Sequence, residues 1–453
     1  MGPMKQKNRN TGSHSQRIGI KAGKALITAA IYLLVIISVY CLVQLRYTSS
    51  QRHFSLKTFA AVTILIVASG VIHQRRKGRL SVREYVKTLF LGKTVNQKRI
   101  VYMDYLRILA TVLVIAVHVM EPAYQQMDGH TPIWGILAVI TSLFCCCNLL
   151  FMMISGALLL NGKNESIWLF YKKRFLKVGI PCFAYYCFYC FYINGITAFY
   201  PDKWLALIGS FTANNTGMTP HFWLVHVILV FYITAPFFAI MMKAMTEAQK
   251  VSLAVLVFIL HYLFTYMPYC QINFLVIPFL SSWESIFILG YFCTTKSAMK
   301  YYRLIMAGGG LSVLFVVYAV YTMEDFPALL YNNAPTMLMI ACAVFLFFRT
   351  HGEGIFSRIS PVMQSVSKYS FSILLIHWCI LFEVVEKGFG INGLSFGIGG
   401  GIIASVVLTL VISMVFSIFY DNTVVLCVNY IADRAIGIFE RLAESIIRKV
   451  RRN

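Results

Sequence analysis

Twelve apolar stretches, each near the ~20 residues needed to cross a bilayer, leave this chain little choice of fold. They run roughly over residues 25–45, 56–73, 101–120, 138–160, 178–199, 221–242, 251–268, 274–293, 304–322, 334–348, 369–387 and 398–420. Inside lipid a segment must satisfy its own backbone polar groups, so each stretch is expected as an α-helix. The expected fold class is therefore all-α, a polytopic transmembrane helical bundle. Composition agrees. Only 13% of the 453 residues are charged and 58% are hydrophobic, whereas a soluble domain carries about 25% charged residues.

The net charge of +23 raises nucleic acid as a partner, and the distribution of charge excludes it. Of the 40 Lys and Arg residues, 34 lie in segments that alternate sides with the rest, five lie on the opposite side, and the last is Arg107 inside an apolar run. That is a positive-inside pattern, not a basic recognition face. It predicts a multi-pass protein of the cell membrane with both termini cytoplasmic. Residues 1–24 form a cytoplasmic basic tail. Residues 25–97 hold two accessory transmembrane helices and a basic cytoplasmic segment, in which Ser81 and Glu84 have the spacing of a helix capping box. Residues 98–430 form a ten-helix membrane domain. Residues 431–453 form a basic tail in which Ile438, Leu442, Ile446 and Val450 recur at helical spacing, predicting an amphipathic helix on the cytoplasmic surface. The first apolar run lacks a small-residue cleavage pattern and reads as a span, not a signal peptide. The 12 cysteines sit mostly inside apolar runs and lack zinc spacing. They read as small packing residues, and no metal is expected.

One stretch stands apart from the other eleven. Residues 101–121, VYMDYLRILATVLVIAVHVME, carry Asp104, Arg107, His118 and Glu121. At ~100° per residue the four fall within roughly a 100° sector, with Arg107 and His118 nearly eclipsed and ~16 Å apart along the axis. The charge pattern puts Arg107 near the cytoplasmic face and His118 beyond the midplane. Arg107 stays charged and needs an anion: Asp104 or the phosphates of a cytosolic ligand. An imidazole can take a proton from a hydroxyl, and Glu121 is placed to orient His118. The bland alternative is a structural network, with Arg107 paired to Asp104 and His118 bonded to Glu121 or a neighbouring helix. Four polar groups on one stripe favour function.

These residues resemble the membrane acyltransferase-3 family. The resemblance rests on Arg107-x10-His118, followed by FMMISGALLL (151–160), YKKRFLKVGIP (171–181), HFWLVHVILVFYITAPFF (221–238) and SKYSFSILLIHW (367–378), in the family's order. It covers roughly residues 98–430. One departure is Arg174-x-x-Lys177 where the family has a pair of arginines, which replaces a planar fork by a point charge. With no hydrolase-like domain after the helices, the chain is similar to the stand-alone type. The resemblance implies an integral-membrane O-acyltransferase. It would carry an acyl group, usually acetyl, from cytosolic acetyl-CoA to a hydroxyl of a cell-surface or cell-wall carbohydrate. Acyl-CoA would be a donor substrate, and no permanently bound cofactor is expected. His118 and Glu121 are the expected catalytic residues, and Arg107, Lys173, Arg174 and Lys177 the donor-binding ones. Asp104, Asn148, His221, Trp223, Glu284 (placed mid-span) and His377 are expected in supporting or acceptor-side positions. Ser155 and Gly156 are read as a helix-packing contact.

The competing class is a transporter or flippase for a polysaccharide or lipid-linked precursor. It would show internal repeats with matching broken helices, and none is legible. A non-catalytic scaffold would not need the polar stripe. The expected partners are the lipid bilayer, acyl-CoA and a surface carbohydrate, without nucleic acid, and a homo-oligomer is left open.

Overall fold

The ten apolar stretches from residue 101 onward all contain helix. The computed structural model describes residues 100–129, 131–162, 165–194, 219–267, 282–324, 326–330, 334–352, 354 and 359–450, with isolated positions 30, 84, 87 and 90. The two stretches expected at 25–45 and 56–73 lie outside the described residues apart from Ala30, which is helical. Glu84, Lys87 and Phe90 are helical and exposed, while Ser81, the expected cap of that segment, lies outside the described residues. Among the described residues seven helices are long and apolar enough to cross a membrane, and no strand occurs. The protein is a multi-pass helical membrane protein.

The first core helix is α1 (Val101–Gln125), which keeps its course through Pro122. Next come α2 (Pro132–Phe144) and α3 (Cys146–Leu160), joined through Cys145. Helix α2 starts six residues before the expected span because Thr131 caps Trp134 N and Pro132 takes the first-turn position. Helices α4 (Ile167–Arg174) and α5 (Ile180–Asn194) are joined by a widened, π-type turn at Phe175–Gly179. A short 3₁₀ turn (Pro220–Phe222) leads into α6 (Trp223–Ala244), and α7 (Glu247–Tyr266) follows behind a Thr246–Gln249 capping box. Then come α8 (Trp283–Phe292), α9 (Lys296–Lys300), α10 (Tyr302–Thr322), α11 (Phe326–Leu330) and α12 (Pro335–His351). Helix α13 (Pro361–Cys379) continues through a π-type stretch (Ile380–Glu386) into α14 (Lys387–Phe389). Helix α15 (Ile398–Tyr420) passes through a further π-type turn (Asp421–Val425) into α16 (Leu426–Val450). Ile438, Leu442, Ile446 and Val450 of α16 are all exposed, which fits an amphipathic surface helix.

Packing divides the chain into two units, residues 97–174 with 214–413, and residues 175–213 with 414–453 and the first 96. In the larger unit α1 packs on α2, α3, α12 and α13. Lipid tails are as apolar as leucine, so close van der Waals fit, not hydrophobicity, holds such helices together. The α3–α8 contact shows this. A Cβ on Gly156 would stand 1.8 Å from the Phe287 carbonyl oxygen, and one on Gly290 would stand 2.1 Å from that of Met153. The two backbones touch where both side chains are missing, which matches the packing role read for Gly156. Away from this core, Leu304, Leu311 and Leu314 of α10 and Ile233 and Ile240 of α6 are exposed. On a soluble protein such faces would be an interaction site; here they are lipid-facing surface.

Helix ends that the charge pattern assigns to one side of the membrane do meet. Arg349 Nη1, at the end of α12, donates to the Cys293 and Thr295 carbonyls at 2.6 and 2.9 Å. Lys243 Nζ donates to the Gly162 carbonyl at 2.6 Å, and Asn161 Nδ2 donates to Thr294 Oγ1 at 2.9 Å. At the other end Trp134 packs edge-on against Tyr124 and Phe326.

The smaller unit is sewn together by buried hydroxyls. Tyr185 Oη donates to Asp421 Oδ1 at 3.0 Å, and Tyr420 Oη donates to the Ala184 carbonyl at 2.9 Å. The rings of Tyr185, Phe188, Phe416 and Tyr420 pack on one another around them.

Candidate functional site

The polar stripe of α1 meets α13. The two helices run parallel, because Asp104 contacts Ser367 and, further along both chains, His118 contacts His377 and Trp378. These two meeting points have different chemistry.

At the first, Asp104 is buried, and a buried carboxylate must find hydrogen-bond donors. Ser367 Oγ donates to Asp104 Oδ1 at 2.6 Å, and Arg107 Nη1 donates to the same oxygen at 3.3 Å. The Arg107 side chain remains 31% exposed. It is thus held by Asp104 while remaining part-exposed. One turn along, Thr111 Oγ1 donates to the Arg107 carbonyl at 2.7 Å, and Arg107 is thereby flanked by hydrogen bonds on both sides of its helix turn. Beside Ser367, the exposed Lys368 donates to Tyr369 Oη at 2.8 Å and lies over that ring.

At the second, four rings close a circuit. His118 stacks on His377 with centroids 5.4 Å apart and planes 23° apart. His377 meets His221 edge-on at 5.1 Å. His221 stacks on Trp378 at 5.8 Å and 12°, and Trp378 meets His118 edge-on at 5.0 Å. Helix α1 supplies one ring, the 3₁₀ turn before α6 another, and α13 two. Aromatic packing fixes the ring planes, each pair contributing roughly 0.5–1.5 kcal/mol, and leaves ring nitrogens for other partners. The 3₁₀ turn matters because it turns His221 inward: His221 Nε2 donates to the Leu375 carbonyl at 3.0 Å, which ties the turn to α13. His377 Nδ1 donates to the Leu374 carbonyl at 2.7 Å. His377 Nε2 is buried and has no hydrogen-bond partner among the described residues. An unmade bond of this kind costs roughly 1–3 kcal/mol. His118 is half-buried, and neither of its nitrogens is hydrogen-bonded to a described residue.

The structure places the remaining expected residues more variously. Glu121 does not reach His118; it accepts from Gln125 Nε2 at 3.5 Å, one turn on along its own helix. His118 is oriented by rings and not by that carboxylate, a correction to the expected contact. Residues 274–281 of the span expected around Glu284 lie outside the described residues. Glu284 sits in the first turn of α8, where Ser282 Oγ donates to it and the helix N-terminus favours a carboxylate. Trp223 packs on Trp283 at 4.9 Å. Asn148 is half-buried in the first turn of α3 and has no hydrogen bond among the described residues. Lys173 is paired with Glu165, and the Arg174 guanidinium lies 5.1 Å over the Phe170 ring. Lys177 is exposed in the widened turn after α4 and belongs to the smaller unit.

Ser367 and Trp378 carry the site without having been singled out from the sequence. Both lie inside SKYSFSILLIHW, which the sequence reading used for its resemblance and for His377 alone. His261 is a third omission: buried in α7, its Nε2 lies 2.6 Å from Ser285 Oγ. An ionisable residue within an apolar run was the available signal.

One family, the acyltransferase-3 family, described as an acyltransferase domain, matches residues 100–418. That stretch begins one residue before α1 and ends within α15, so it takes in both meeting points of α1 and α13. No curated protein and no solved structure matches the chain.

Proposed function

The chain belongs to the acyltransferase-3 family and is an acyltransferase, and from that premise we propose a donor, an acceptor and roles for its residues. The donor is a cytosolic acyl-CoA, in the simplest case acetyl-CoA. The acceptor is a hydroxyl of a cell-surface or cell-wall carbohydrate. The membrane is the cell membrane, crossed so that both termini and the Arg107 end of α1 are cytoplasmic.

The observation that carries this reading is His118, half-buried in a cage of rings with neither nitrogen hydrogen-bonded to a described residue. It shares a helix face with Arg107, which is paired with Asp104 and whose side chain is 31% exposed. Their separation, ~16 Å along the helix, suits a donor whose phosphates and thioester are joined by an extended pantetheine arm. Arg107 holds phosphate oxygens through charged hydrogen bonds, and Lys173 and Arg174 of the same unit add positive potential. At the other end a His118 nitrogen accepts the proton of the acceptor hydroxyl as its oxygen attacks the thioester carbonyl. The new C–O bond forms, the C–S bond breaks, and the coenzyme A thiolate takes the proton back from the imidazolium. The products are an ester and free coenzyme A.

Mass spectrometry of surface glycans, with and without the chain, tests the donor and acceptor together: an acyl mass is expected to disappear when the chain is absent. Unchanged glycans would overturn the carbohydrate assignment. His118→Ala is expected to remove the same mass while membrane abundance is preserved. Persistence of the acyl group in that variant would remove His118 as the base.

A further inference from the structure

The hydrogen bonding of the His377 imidazole is settled at one ring nitrogen and, among the described residues, unmade at the other. Its Nδ1 lies 2.7 Å from the Leu374 carbonyl. A carbonyl only accepts, so Nδ1 must carry the proton. That leaves a lone pair on Nε2 of the neutral ring. His377 has 0% exposure, and Nε2 has no hydrogen-bond partner among the described residues. Proteins rarely leave a buried acceptor unmatched without a use for it. The ring is stacked on His118, with centroids 5.4 Å apart, so the unmatched acceptor stands beside the imidazole assigned to the reacting hydroxyl.

Two neighbouring imidazoles with unmade hydrogen bonds ask for two donors. A monohydric alcohol has a single O–H to give. A polyol offers one hydroxyl to each ring. We propose that His377 Nε2 binds a second hydroxyl of the acceptor, adjacent to the one acylated, and that the acceptor is therefore a polyol held through a pair of hydroxyls. The inference rests on the reading of His118 as the base for the first hydroxyl. His377 touches the substrate without exchanging a proton with it: Nδ1 keeps its proton on Leu374, and Nε2 accepts a hydrogen bond from a hydroxyl that does not react. Selectivity among hydroxyls of one sugar follows, because binding the neighbour fixes which oxygen faces His118.

Two substitutions separate the ring's two nitrogens. His377→Asn retains an amide N–H where Nδ1 was and has nothing where Nε2 was. His377→Gln puts an amide oxygen near the Nε2 position, able to accept a hydrogen bond but not a proton. Membranes carrying each variant at equal abundance would be assayed with radiolabelled acetyl-CoA and isolated surface glycan. His377→Asn is expected to raise the KM for glycan about tenfold, the loss of one hydrogen bond, with the KM for acetyl-CoA unchanged. His377→Gln is expected to recover most of that loss. Wild-type kinetics in His377→Asn would show that only the Leu374 bond matters and overturn the proposal. A fall in kcat in His377→Gln, at unchanged glycan KM, would place His377 at the reacting hydroxyl and overturn it equally. His118→Ala in the same assay tests the underlying reading separately: if it transfers acetyl at the wild-type rate, the assignment of His118 fails whatever His377 does.

Discussion

The two places where α1 meets α13 differ in how their polar groups are satisfied. At the Asp104 end, carboxylate, hydroxyl and guanidinium are joined by hydrogen bonds of 2.6 and 3.3 Å. At the His118 end, four rings pack against one another and no hydrogen bond joins any two of them through a His118 nitrogen. The first arrangement is closed and holds one cation in place. The second fixes planes and leaves nitrogens open. A site that binds a constant anionic handle needs the former; a site that moves a proton needs the latter.

The sharpest way to break the contrast is His118→Ala. Loss of a positioned base is expected to lower the rate of transfer roughly 10²–10⁴-fold, read as glycan acylation at matched membrane abundance, while donor affinity is unchanged. Arg107→Ala is expected to act at the opposite end and in the opposite parameter. Removing charged hydrogen bonds of about 1.5–3 kcal/mol each should raise the KM for acetyl-CoA roughly 10- to 100-fold, with added salt narrowing the gap to wild type. Arg107→Lys should recover only part of this, since an ammonium lacks the planar fork.

Smaller effects sharpen the comparison. Ser367→Ala leaves the buried Asp104 with one donor fewer, at an expected cost of about 1–3 kcal/mol in stability. A double-mutant cycle with Asp104→Asn should show coupling, measured by thermal unfolding in detergent, because the two side chains share one hydrogen bond. The same cycle between Asp104 and Trp378 should be additive, as the two meeting points are separate. Additivity in the first pair would mean that the bond contributes nothing. The smallest change is Trp378→Phe, which keeps an aromatic face for His118 and His221 and should cost no more than about 0.5–1.5 kcal/mol. Trp378→Ala removes that face and should lower transfer more than Trp378→Phe does, with donor KM unmoved.

Much of this was legible in the sequence. Hydropathy located helix in each of the ten apolar stretches from residue 101 onward, because lipid permits few other ways to satisfy the backbone. Periodicity put Arg107 and His118 on one face of α1, and Ser155–Gly156 read as a packing contact, whose partner, α8, came only from the structure. The boundaries were less legible. Helix α13 starts at Pro361, eight residues before the apolar run, because Ser360 caps it and Ser365, Ser367 and Ser370 find partners inside the protein. A hydropathy window counts such residues as polar and stops short.

The partner of His118 was beyond the sequence altogether. Glu121, one turn away on the same helix, is the local candidate, and local spacing favours it. The structure brings His377 and Trp378, more than 250 residues along the chain, into the place where that contact was expected. Amino-acid order by itself determined that this protein is a helical membrane bundle with a polar stripe on its first core helix, because both follow from properties repeated along one segment. Tertiary structure alone decided which end of the stripe is closed by hydrogen bonds and which is left open among rings. That choice depends on how α1 and α13 come together in space, which neither segment encodes alone.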